Sequence, residues 1–98
     1  MWIGWLEFDL LLGDVHSLKE KRSVVRPIVA ELRRRFQVSA AEVDHLDLHR
    51  RAAIGLACVA PDRAHLTELL DATEQFVAYR PDVELLAAQR RVSRSEDE

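Results

Sequence analysis

The chain has 98 residues, 48% of them hydrophobic, and 14 Lys and Arg against 17 Asp and Glu give a formal charge of −3. That length supports a single domain with one modest core. The lone cysteine, Cys58, excludes an internal disulfide framework and a CxxC redox or zinc pair.

Residues 2–12 are rich in aromatic and branched side chains and end at Gly13-Asp14, which predicts a strand closed by a turn. Trp2, Leu6, Phe8 and Leu10 share one face; Ile3, Trp5, Glu7 and Asp9 share the other. This opening stretch has no basic leader and is too short and too charged for a membrane span, so a cytoplasmic protein without a membrane partner is expected.

Ser17 followed by Glu20 forms a capping box and predicts a helix from Leu18 onward. Leu18, Val25, Ile28, Val29, Leu32 and Phe36 recur at helical spacing and give it a buried stripe. Pro27, inside the pattern, is expected to kink the helix or restart it at Ser23. Residues 15–36 hold seven basic and two acidic side chains. On a helical wheel with Leu18 at zero, Lys19, Arg22, Arg26 and Arg33 fall between about 40° and 100°, with Arg34 further round. Glu20 and Glu31 lie on the far side, so the positive charge is one-sided. Lys19, Lys21, Arg22, Arg26, Arg33 and Arg34 are therefore candidates for phosphate contact, since Arg forks grip backbone oxygens. A solvated helix face is the alternative, because cations also favour a helix C-terminus.

A short strand is expected over residues 38–44, then the polar connection DHLDLHRR, then a largely apolar strand over 51–60. Pro61-Asp62 opens a second helix whose buried stripe is Leu66, Leu69, Leu70, Thr73, Phe76 and Val77, ended by Arg80-Pro81-Asp82. That helix is acidic, with Glu68, Asp71 and Glu74. A final strand spans 83–92, and residues 93–98 read as a disordered acidic tail outside the domain. The order β-α-β-β-α-β gives a ferredoxin-like α+β sandwich over residues 1–92, a four-stranded antiparallel sheet with both helices on one face. A three-layer arrangement would need more helices than the chain supplies.

The segments AAIGLACVA (52–60) and ELLAA (84–88) are apolar in both parities, yet one helix layer covers one sheet face. Ile3, Trp5, Ala57 and Val59 would then form an exposed patch, and a homodimer through that face is expected, with Glu7 and Asp9 pairing Arg90 or Arg91 at its rim. The same face is acidic and poor in aromatics, which argues against bases stacking on it. Glu42, Asp44, His45 and Asp47 form a polar cluster of unassigned role; their spacing matches no zinc or iron motif, and no metal or cofactor is expected. Gly4, Gly13 and Gly55 are isolated, so there is no phosphate-cradling loop, and no catalytic constellation is identifiable. Cys58 reads as a small core residue. An enzyme centred on Asp44, His45 and Asp47 remains the weakest option.

The segments SLKEKR (17–22), F-x-V-S (36–39), AEVDHLDL (41–48) and RAAIG (51–55) resemble the YlxP-like family of small bacterial proteins, over nearly the whole chain. Leu46 and His49 depart from the amide and aromatic residues associated with those positions. The resemblance implies the ferredoxin-like fold and a gene setting among translation and ribosome-maturation factors, often beside ribosome-binding factor A. It brings no established activity. It adds Glu20 to the candidates Lys19, Lys21 and Arg22, and it also covers Glu42, Asp44, His45 and Asp47. Two functions are carried forward. One is a non-enzymatic accessory protein associated with rRNA or a ribosomal subunit through the basic stripe. The other is a homodimeric protein-interaction module without nucleic-acid binding.

Overall fold

The long first strand, β1 (Trp2–Leu12), is one of the two inner strands of the sheet and pairs along its length on both edges. The computed structural model describes residues 1–97. The other elements are α1 (Leu18–Phe36), β2 (Ser39–Asp44), β3 (Arg51–Ala60), α2 (Arg63–Ala78), β4 (Val83–Arg94) and a 3₁₀ turn (Ser95–Asp97). The sheet order is β2-β3-β1-β4, every pair antiparallel, which is the ferredoxin-like arrangement. No helix among the described residues is long and apolar enough to cross a membrane.

Alternation along β1 decides which face is buried. Leu6, Phe8, Leu10 and Leu12 point to the helices and are fully buried with Ile54, Ile28, Leu32, Leu66, Leu70 and Val77. Each such side chain stabilises the fold by about 1.5–3 kcal/mol relative to exposure. Gly4 lies on this inner face, where a Cβ would come within 3.1 Å of the Leu66 and Leu70 methyl groups, so its lack of a side chain lets α2 approach the sheet. Cys58 packs against the same core, half-buried, and burial pushes its thiol pKa up.

α1 begins as the capping box predicts: the Ser17 hydroxyl accepts from the Glu20 N–H at 3.1 Å. Glu20 reaches back one residue further than expected and accepts from the His16 N–H at 2.9 Å. The helix then continues through Pro27 to Phe36, so the restart at Ser23 does not occur. Pro27 is exposed, and its ring sits on the outer side of the helix. The helix ends at Gln37, whose φ of 55° and ψ of 42° are left-handed and whose N–H donates to the Arg33 carbonyl.

The end of the chain differs from the expected tail. Ser93 and Arg94 continue β4, paired with Ile3 and Trp2, and the Ser95 N–H donates to the Met1 carbonyl at 2.9 Å. The absence of apolar residues predicted fraying, but β1 starts at residue 2 and offers unpaired backbone groups at this edge. Pairing them satisfies donors and acceptors whatever the side chains are. Glu98, the last residue of that expected tail, lies outside the described residues.

Candidate functional site

α1 packs beside β2, an edge strand, and this neighbourhood sorts the basic candidates into two sets. Lys21 is 2% exposed, among the most buried side chains of the chain. Its Nζ donates to the His45 carbonyl at 2.6 Å and lies 2.8 Å from Glu42 Oε2. It therefore leaves the phosphate-binding set, and its charge is used internally. The wheel that grouped the other cations puts Lys21 at about 300°, between Ile28 and Leu32, inside the buried arc. That position was the available clue; counting charge along the chain hid it.

Arg33 and Arg34 are also engaged. Arg33 Nε donates to the Ala40 carbonyl of β2 at 2.9 Å, which caps an open edge of the sheet. Arg34 bonds Glu31 one turn earlier at 2.5 Å, holding the Glu31 carboxyl below its ordinary pKa. Arg35 lies over the rings of Phe36 and Phe76.

Lys19, Arg22 and Arg26 are exposed and have no carboxylate, carbonyl or ring partner among the described residues. Of the remaining basic side chains only Arg91 shares that condition. Three of these four free cations thus stand on one face of α1, spread over about 10 Å. Arg22 and Arg26 border a groove of about 280 Å³ between α1 and the connection after β2, with Lys21 and Glu42 at its base and Leu46 at its lip.

The second candidate cluster is divided by a bulge. Val43 is the extra residue in β2: Glu42 pairs with Ile54 and Asp44 with Ala53. Glu42 consequently faces the helices and Lys21, whereas Asp44 falls on the other side. The Asp44 carboxylate accepts from the His45 N–H at 2.7 Å and steadies a left-handed residue, φ 58°. The His45 ring lies 3.7 Å from Asp9, which receives two bonds from Arg51 at 2.7 and 2.6 Å. Those bonds hold the Asp9 carboxyl below its usual value, against a smaller opposing effect of burial. Asp47 is exposed and joins none of these contacts. No group of three or more His, Cys, Asp or Glu among the described residues is arranged to hold a metal.

The open sheet face carries Ile3, Trp5, Ala57 and Val59, with Trp5 38% and Val59 62% exposed. The expected rim pairing is only partly available. Asp9 is taken by Arg51, and Arg90 stands on the opposite, helix-covered face, bonded to Asp71 at 2.9 Å and Glu74 at 3.2 Å of α2. The register explains this: Arg90 pairs with inward Leu6, Arg91 with outward Trp5.

Comparison with known proteins shows the family and leaves the activity open. Residues 3–90 match the family described as "Protein of unknown function (DUF503)". The chain is 31% identical over 94 residues to the uncharacterised protein YlxP of Bacillus subtilis strain 168, covering 96% of this chain and 97% of that protein. The chain belongs to this family.

Proposed function

We propose that this DUF503-family protein is a non-enzymatic accessory protein that binds RNA, in the setting of a ribosomal subunit, through phosphate contacts made by Lys19, Arg22 and Arg26. The observation that carries the reading is the one-sided set of unpartnered cations on α1, beside side chains of the same type that are all engaged. A solvated face built for solubility mixes signs and pairs them along the helix. Here the pairs are made elsewhere and three charges are left together. Arg22 and Arg26 supply planar forks suited to phosphate oxygens, and Lys19 supplies a point charge at the same face. Leu46 and Val25 give the groove beneath them an apolar wall. The open sheet, with Glu7 and Asp9 beside its one aromatic, is a poor stacking platform, so contact through the helix is the favoured mode.

The test is co-sedimentation of purified protein with ribosomal subunits over a salt series. Three phosphate contacts predict a log–log salt slope of about −2 for single-stranded sites. The Arg22→Glu/Arg26→Glu double variant should lose binding while its melting temperature stays near the parent's, since both side chains are exposed. Binding that survives the double reversal, or no binding even at low salt, removes RNA as the ligand of this face.

A further inference from the structure

We infer that the open face of the sheet is the contact surface for a second copy of this chain, held by Trp5 at the two-fold axis and by reciprocal Arg91–Glu7 pairs. This goes beyond the RNA reading and does not depend on it, because α1 lies on the opposite side of the sheet.

The first observation is chemical. Glu7 and Arg91 both point from the open face and have no partner among the described residues. They flank Trp5: Arg91 pairs with Trp5 across β1 and β4, and Glu7 is the next outward residue of β1. A face that sets an unpaired acid and an unpaired base beside an apolar centre is complementary to itself. A two-fold axis along β1 stacks each Trp5 on its counterpart. It also lays β4 over β3 of the second copy and brings each Arg91 diagonally to the other copy's Glu7, within the reach of an arginine.

The second observation is shape. Beside Trp5 the face has a hollow of about 370 Å³, bordered by Ala41, Val43, Gly55 and Ala57. Val43 leans over Gly55, where a Cβ would stand 3.0 Å from a Val43 methyl carbon. In this arrangement the hollow lies beneath β4 of the second copy, whose outward side chains occupy it. Three strands and ten residues of overlap give a footprint on the order of 500 Å² in projection. A pleated, side-chain-covered surface exceeds its projection, so the accessible area approaches the ~800 Å² per partner of a standard interface. Sheets packed this way keep their strands within about 30° of each other, as a two-fold along the strands requires. The assembly is a four-layer α/β/β/α sandwich with both basic helix faces outward.

Sedimentation velocity over a concentration series, with the full chain, tests this. The parent should form a dimer. Trp5→Glu should raise the dissociation constant by about 30-fold or more, the effect of a central aromatic anchor. Arg91→Glu, which sets Glu against Glu7, should weaken the dimer about tenfold, and adding Glu7→Arg should restore it. Circular dichroism melts confirm that each variant is folded; if Trp5→Glu is not, the Arg91→Glu loss and its rescue decide. A parent that stays monomeric at high micromolar concentration overturns the inference. So does a dimer indifferent to Trp5→Glu, which would be joined at another surface, and so does a charge swap without rescue.

Discussion

At each end of the sheet an edge strand is tied to the helix that covers it by charge. On one side, Lys21 of α1 meets Glu42 of β2; on the other, Arg90 of β4 meets Asp71 and Glu74 of α2. The device is the same but the surroundings are not. The Lys21 side chain is 2% exposed and Glu42 22%, whereas Arg90 is 30% and its acids 57% and 39%. Removing one partner of a buried pair strands a charge without water, while an exposed pair exchanges protein contacts for hydration. The two junctions therefore differ in what they contribute even though each pairs a cation with carboxylates across an edge strand and a helix. Lys21 also ties down the His45 carbonyl, so it fixes the start of the 45–50 connection as well as the edge strand.

The sharpest way to break this comparison is Lys21→Ala. It should destabilise by about 3–5 kcal/mol, the cost of orphaning a buried charge. At about 4–8 °C per kcal/mol for a domain of this size, melting should fall by more than 10 °C. Lys21→Met with Glu42→Leu, which removes both charges at similar volume, should recover most of that loss in the same calorimetric scan. If the single variant melts like the parent, the junction is not a stabilising element.

The Asp9–Arg51 pair is the intermediate case, half-exposed on the open face. Its carboxyl pKa is depressed in the folded protein by the Arg51 hydrogen bonds. A depressed carboxyl contributes stability above its unfolded value, near 3.8, and loses it as pH falls through the lower folded value. Urea unfolding between neutral pH and pH 2 should show this acid limb, and Arg51→Gln should flatten it. At the exposed junction, Arg90→Ala should cost less than about 1 kcal/mol, and less still in high salt. The helix ends supply the smallest contrast. α1 closes on Gln37 with a left-handed φ, α2 on Tyr79 with φ −90°. Gln37→Gly should raise stability by about 0.5 kcal/mol, whereas Tyr79→Gly should lower it by a similar amount.

Much of the fold was legible because its periodicities are clean. Leu6, Phe8 and Leu10 alternate, Ile28 and Leu32 recur at helical spacing, and Ser17 with Glu20 marks a helix start. The site was legible only in part. Lys19, Arg22 and Arg26 were identified as a free face from the wheel, and they remain one. Arg33 and Arg34 belong to that face in sequence, but their hydrogen bonds go to Ala40 and Glu31. Lys21 was misplaced because charge was read as exposure; its angular position pointed inward. The split of Glu42 from Asp44 could not be read at all, since it depends on Val43 being an unpaired extra residue in β2.

The sequence by itself determined the order of elements, the inner face of each, and the one-sidedness of the charge on α1, because these follow from local periodicity and from residue chemistry. Only the tertiary structure decided which charges are spent. A cation becomes free or engaged according to what a distant strand places beside it, as Glu42 and the His45 carbonyl stand beside Lys21 and Ala40 stands beside Arg33. It also decided that Arg90 and Arg91, adjacent in the chain, serve opposite faces, one held by α2 and the other left free beside Trp5. Strand register and bulges set those neighbours, and register is a property of the assembled sheet.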